Sequence, residues 1–185
     1  MPKIITIVTG NPGKLRELEA LALGQFDFQM RSIALQEIQS LDLQEIVTEK
    51  LKHAYGIVKG PVIVDDVSAG LDSLKGLPGP FIKFFNDTLG EDSLLKLAKR
   101  KHEKVTVRCI AAYYDGSNFI FGNGIIHGTV VEPRGSGGFG FDVVIVPDGE
   151  QRTMAEMTNE EKMQVSHRGM AFRDLLAKLK TVVNN

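Results

Sequence analysis

The segment Ile4-Ile5-Thr6-Ile7-Val8-Thr9-Gly10-Asn11-Pro12-Gly13-Lys14-Leu15 decides how the fold is read. Its first half is apolar and β-branched, the pattern of a short buried strand. Gly10 ends that run. Asn11 is a good helix N-cap, and Pro12 suits the first helical position, where its missing N–H costs nothing. Leu15, Leu18, Leu21 and Ala22 then recur at helical spacing, and Gly24 stands where the helix closes. The chain therefore opens as strand, tight turn and helix.

Asp42, with Glu45 three residues on, predicts a second helix with a capping box. That helix places Ile46, Lys50, Ala54 and Ile57 along one side and stops before Gly60-Pro61. Val62-Ile63-Val64 reads as a short apolar strand that ends at Asp65-Asp66. After Gly76-Leu77-Pro78-Gly79-Pro80 come a Phe-rich segment and a helix near Asp92 to Arg100. Lys104 to Tyr114 and Asn118 to Phe121 flank Asp115-Gly116-Ser117, a hairpin turn. Gly124 to Glu132 and Phe139 to Val146 are expected as strands. Thr158 with Glu161 makes another capping box, and Ser166 caps a last helix with Met170, Leu175, Leu176 and Leu179 on its apolar side. A βαβ-like start, strands in the middle and helices at the end predict an α/β or α+β fold with a mixed sheet.

Composition excludes several functions. The chain has 185 residues and neither a repeat nor a flexible linker, so a single domain over residues 1–185 is expected. An apolar content of 43% with 24% charged residues rules out a disordered or disulfide-stapled chain. Lys and Arg number 22 against 23 Asp and Glu, so the basic excess of a duplex-binding protein is missing and no nucleic-acid partner is expected. The early apolar run Ile4 to Val8 is too short for a signal-peptide core or a membrane span. Cys109 is the single cysteine and cannot form an intrachain disulfide. A cytoplasmic protein without a membrane partner is the expectation.

Two glycine patterns mislead. Gly135-Ser136-Gly137-Gly138-Phe139-Gly140 matches G-x-G-x-x-G by letter, but Pro133-Arg134 precede it and strand-like residues follow, so the strand-to-helix context of a dinucleotide site is missing. Gly10 to Lys14 is not a Walker A motif, because Val8 and Leu15 stand where that motif needs Gly and Ser or Thr. The first turn nevertheless has phosphate-binding physics: free N–H groups and partial positive charge at a helix start, with Lys14 adding a full charge. A plain βα turn with a surface lysine explains the same residues. Asp65-Asp66 is either a turn-forming pair or a pair of carboxylates facing opposite ways, one of which could help hold Mg²⁺ with substrate phosphates. Ser166-His167-Arg168 is either a cap followed by polar surface residues or a source of donors and charge for a phosphate or base, with Lys162 nearby. Phe139 and Phe141 are either core or the walls of a flat slot for a purine, with Asp142 as an acceptor beside it.

Four segments taken in order resemble the inosine triphosphate pyrophosphatases, enzymes that remove deaminated purine nucleotides. They are Thr9-Gly10-Asn11-Pro12-Gly13-Lys14; Asp65-Asp66 followed by Gly76-Leu77-Pro78-Gly79-Pro80-Phe81; Phe139-Gly140-Phe141-Asp142; and Ala155-Glu156-Met157 through Ser166-His167-Arg168. The likeness spans roughly residues 4 to 170. It implies a two-lobed α/β fold of the Maf/ITPase kind, with an elongated mixed sheet flanked by helices, a nucleotide in a central cleft, and a homodimer. It also implies Mg²⁺-dependent cleavage of ITP, dITP or XTP to the monophosphate and pyrophosphate. By position, Thr9, Gly10, Asn11, Pro12, Gly13 and Lys14 would hold the phosphates, and Asp66 would accept the proton of the attacking water. Glu37 would join Asp66 at the metal, Lys50 would touch the triphosphate, and Val67 would contact substrate through its backbone. Phe139, Gly140, Phe141, Asp142, Lys162, His167 and Arg168 would enclose and read the base.

The chain departs from the family pattern at Val67, where Ser or Thr is usual, at Val143, where Pro is usual, and at Asp65, where some members have Glu. Val67 and Val143 motivate a rival reading, a nucleotide-binding module with little hydrolysis. A further alternative is a Maf-like pyrophosphatase of other modified nucleotides.

Overall fold

The computed structural model describes residues 4–183. Its strands are β1 (Ile5–Val8), β2 (Phe28–Arg31), β3 (Val62–Leu71), β4 (Pro78–Gly79), β5 (Lys104–Tyr114), β6 (Phe119–Val130) and β7 (Ile145–Pro147). They form one mixed seven-stranded sheet in the order β2-β1-β3-β5-β6-β7, with β4 on β3. β1 runs parallel to both β2 and β3, while β4 on β3 and β7 on β6 are antiparallel. The helices are α1 (Pro12–Ala22), α2 (Leu43–Val58), α3 (Ile82–Leu89), α4 (Ser93–Leu97), α5 (Asn159–Val165) and α6 (His167–Val183). Among the described residues no helix is long and apolar enough to cross a membrane.

The chain divides into two compact units. The first comprises residues 4–66, 110–123 and 171–183. Its core joins Val8 of β1, Val62 and Val64 of β3 and Ile110 and Ala112 of β5 to Val47, Leu51 and Ala54 of α2. α2 is capped by Asp42, whose Oδ1 accepts the N–H groups of Gln44 and Glu45, but the predicted capping box does not close: Ser40 Oγ accepts the Asp42 N–H and donates to Glu45 Oε2 instead. Its apolar stripe is rotated from the expected one, for Val47 and Leu51 are fully buried whereas Ile57 is exposed. The hairpin turn also forms, with Asp115 Oδ1 accepting from Ser117 N at 2.9 Å and Asn118 N at 2.8 Å.

The second unit comprises residues 67–109 and 124–170. Its core gathers Leu71, Ile82, Leu94, Val107, Ile126, Phe141, Val144 and Met154. Four expectations fail here or at its margins. β3 does not end at Asp65-Asp66 but continues to Leu71, since sheet pairing satisfies the backbone whatever the side chains. Asn118 to Phe121 and Gly124 to Glu132 merge into the single strand β6. Phe139 to Val146 is largely a 3-10 turn over Gly140–Val144, with only Ile145–Pro147 in the sheet. The helix near Asp92 to Arg100 shrinks to Ser93–Leu97, because Ala98 is extended. The Phe-rich segment is itself a helix, α3, and β2 is a strand the sequence reading did not foresee.

Glu103 explains the shortened helix. It is fully buried, and its carboxylate accepts the N–H groups of Ser73 at 2.9 Å and Lys99 at 3.1 Å. Hydrogen bonding from Ser73 outweighs burial and holds its pKa below the ordinary 4.5. Folding therefore favours the ionised form, so this anchor stabilises the protein at neutral pH and weakens as pH falls through the lowered value. Glu103→Gln is expected to melt below the wild type at pH 7, with the gap narrowing as pH falls past 4.5. Equal gaps at pH 7 and pH 3 would contradict an ionised anchor.

Candidate active site

The first unit builds its polar cluster from the βα turn. Asn11 has an extended backbone, and its Oδ1 accepts Gly13 N–H at 2.8 Å, the predicted N-cap. Its own N–H donates to Thr9 Oγ1 at 3.1 Å. A Cβ on Gly13 would fall 2.9 Å from Asn11 Oδ1, so glycine there preserves the cap. Pro12 takes the first helical position as expected. The turn thus presents Thr9, Gly10 and the start of α1 beside Lys14.

Two lysines and three carboxylates complete this cluster. Lys14 Nζ lies 2.8 Å from Asp65 Oδ1, and the Asp65 side chain is 2% exposed. Lys50 Nζ, on α2, lies 2.8 Å from Glu37 Oε1 and 3.1 Å from Asp66 Oδ2. Burial is the largest single influence on Lys50 and opposes its charge, yet Asp66 and Glu37 together outweigh it. The ammonium is held above its ordinary 10.5. Successive strand residues point to opposite faces, which is why adjacent Asp65 and Asp66 serve different lysines. Glu37 and Asp66 converge on one small cation, the ammonium of Lys50, and both offer hard oxygen donors. Those donors fit Mg²⁺ of the kind completed by substrate phosphates and water. Among the described residues no group of three or more His, Cys, Asp or Glu forms a ready-made metal cage.

The second unit holds the aromatic and basic residues. Gly138 and Gly140 have φ of 73° and 61°, the left-handed region, and between them Phe139 is extended. Asp142 reaches back to accept Phe139 N–H at 3.0 Å. A Cβ on Gly138 would sit 2.2 Å from Asp142 Oδ2, so this loop needs glycine on both counts. The same Asp142 oxygen lies 2.8 Å from Lys162 Nζ, with the two side chains 3% and 4% exposed. Asp142 Oδ2 is therefore engaged twice within its own unit.

Lys162 Nζ and Arg168 Cζ lie 4.4 Å and 4.7 Å from the centroid of the Phe139 ring, both within cation–π range. His167 is buried, with its ring 6.0 Å from that of Phe141. Ser166 caps α6 as predicted, its Oγ accepting Gly169 N–H at 3.1 Å. Gly169 has no room for a side chain, since a Cβ would lie 2.0 Å from the Met163 carbonyl oxygen. This close approach of α5 and α6 fixes the spacing of Lys162 from His167 and Arg168. Val67 is partly buried against the core of the same unit. Two cations thus lie over the Phe139 ring and concentrate positive charge at this loop.

Sequence reasoning names most of these residues, Asp65 among them as half of a carboxylate pair, but it does not give Asp65 its partner Lys14 and does not foresee the constraints on two glycines. Gly138 and Gly169 carried no local signal, because their constraints come from Asp142 and Met163.

Comparison with known proteins matches residues 5–178 to the model of the Ham1 family. A dITP/XTP pyrophosphatase of Thermococcus kodakarensis is 38% identical over 179 residues, covering 95% of this chain and 97% of the relative. Proteins named inosine triphosphate pyrophosphatase are similar in Schizosaccharomyces pombe, at 39% identity over 93% of this chain and 94% of the relative, and in Emericella nidulans, at 41% over 92% and 93%. Among solved structures, a HAM1 protein from Coxiella burnetii superposes with a TM-score of 0.79 at 26% identity, covering 100% of this chain and 99% of that one. The Ham1 protein of Staphylococcus aureus shares the fold with a TM-score of 0.83 at 22% identity, covering 97% of this chain and 100% of that one.

Proposed function

The chain belongs to the Ham1 family, and we propose that it is a Mg²⁺-dependent pyrophosphohydrolase of the non-standard purine nucleotides ITP, dITP and XTP. It would cleave between the α and β phosphorus atoms to give the nucleoside monophosphate and pyrophosphate. The observation that carries this reading is the convergence of Lys50 with Glu37 and Asp66, beside the Lys14 turn. In that cluster the carboxylates of Glu37, Asp65 and Asp66 outnumber the ammonium groups of Lys14 and Lys50. Such a cluster repels a polyphosphate that arrives without a counter-ion, which favours a nucleotide accompanied by a divalent cation.

Glu37 and Asp66 would hold the Mg²⁺, which would neutralise phosphate charge and so ease departure of pyrophosphate. The first N–H groups of α1 are taken by Asn11, so it is the partial positive charge of the helix start, with the Lys14 ammonium, that would draw phosphate oxygens to this turn. Lys50, whose charge Asp66 and Glu37 favour, would move from carboxylates to phosphate when the nucleotide enters. Asp66 takes the proton of the attacking water.

The second unit reads the base. Hypoxanthine and xanthine carry a carbonyl oxygen at position 6, where adenine carries an amino group. Arg168, or a backbone N–H, donates to that oxygen, and ATP would leave donor facing donor. The homodimer implied by the resemblance belongs to the same proposal.

Phosphorus NMR of the products tests the cleavage site. One-step appearance of IMP and pyrophosphate from ITP is expected. Formation of IDP and orthophosphate would place the cut elsewhere and overturn the assignment.

A further inference from the structure

Asp65 has no role in the scheme above. Its carboxylate nonetheless lies 2.8 Å from Lys14 Nζ across 51 residues of sequence. The two side chains differ in burial, 2% exposed for Asp65 and 19% for Lys14. Asp66, the next residue, is 20% exposed and reaches Lys50 instead. β3 carries both positions as regular strand, so the two aspartates meet different lysines.

An ionised carboxylate this deeply buried is costly to separate from its counter-charge, so the contact with Lys14 persists when a phosphate arrives. A lysine ammonium has three N–H donors on a flexible stem with much rotamer freedom. Engaging one donor with Asp65 removes much of that freedom and leaves two directions for phosphate oxygens. We propose that Asp65 is a positioning residue for turnover, aiming the Lys14 ammonium at the polyphosphate bound on the first turn of α1. The inference rests on the function proposed above.

Positioning predicts a particular split. Asp65→Asn removes a negative charge beside the phosphates, so affinity holds or improves, while the amide oxygen keeps only a weaker, neutral hold on Lys14 and aims it less firmly at the leaving group. The kcat for ITP is expected to fall about 10–100-fold, the size associated with a misplaced catalytic contact. KM, and the Kd of an α,β-imido analogue of ITP measured by calorimetry, should stay the same or fall. Lys14→Met should weaken analogue binding, and the double variant should lose no more activity than Lys14→Met alone. The Mg²⁺ concentration for half-maximal rate should not change. Should Asp65→Asn not fold, Asp65→Glu carries the same cycle: its smaller loss of kcat should vanish in the Lys14→Met background.

Losses that multiply in the double variant, or a tenfold rise in the Mg²⁺ requirement, would overturn the inference while the wild type remains active. A wild type that releases no pyrophosphate would overturn the functional reading, and this inference with it.

Discussion

Asp66→Asn is expected to cut kcat for ITP by a factor on the order of 10²–10⁴, the usual range for loss of a general base. Asparagine has nearly the same shape and keeps an oxygen that can accept from Lys50, 3.1 Å from Asp66 in the native protein. What it lacks is the negative charge and the capacity to take a proton from water. Nucleotide binding should survive and can be measured by calorimetry, since one fewer carboxylate then opposes the phosphates. The pairing of Lys50 with Glu37 at 2.8 Å remains, so the cluster is not dismantled. An unchanged kcat would remove Asp66 from the chemistry.

The second large effect is on stability. Lys162→Met leaves the Asp142 carboxylate, 3% exposed, without the ammonium that lies 2.8 Å from it. Removing one partner of a buried ion pair costs about 3–5 kcal/mol. For a chain of this size that lowers Tm by about 6–20 °C, at roughly 2–4 °C per kcal/mol. The phenylalanine platform is expected to loosen too, because Asp142 also holds the Phe139 N–H. Removing both charges, as Lys162→Met with Asp142→Asn, should recover most of the loss, since the buried uncompensated charge is then gone. A single variant that melts within 2 °C of the wild type would mean the carboxylate finds water or another donor.

Local chemistry made the opening of the fold legible. β1 is β-branched, Asn11 caps α1 and Pro12 starts it, and each signal acts within a few residues. Where the reading failed, distant residues had set the outcome. The polar pair Asp65-Asp66 looked like a strand end, yet lysines from α1 and α2 neutralise both side chains and β3 runs on. Phe139 to Val146 has strand-like content, but left-handed glycines and the reach of Asp142 back to Phe139 wind it into a 3-10 turn. α4 is short because buried Glu103 collects the Lys99 N–H.

The candidate site divides in the same way. Its residue types, and their order along the chain, could be read from sequence. Their pairings could not, because Lys14 with Asp65, Lys50 with Asp66 and Lys162 with Asp142 each join separate elements. Resemblance to a family supplied the roles; the structure supplied the partners.

The most direct test of the central claim is pyrophosphate release by the purified protein from ITP, XTP, GTP and ATP, each with and without Mg²⁺. Rapid release from ITP or XTP that requires the metal, with GTP and ATP slow, is the predicted result. No release from any of the four, or equal rates on ATP and ITP, would contradict it.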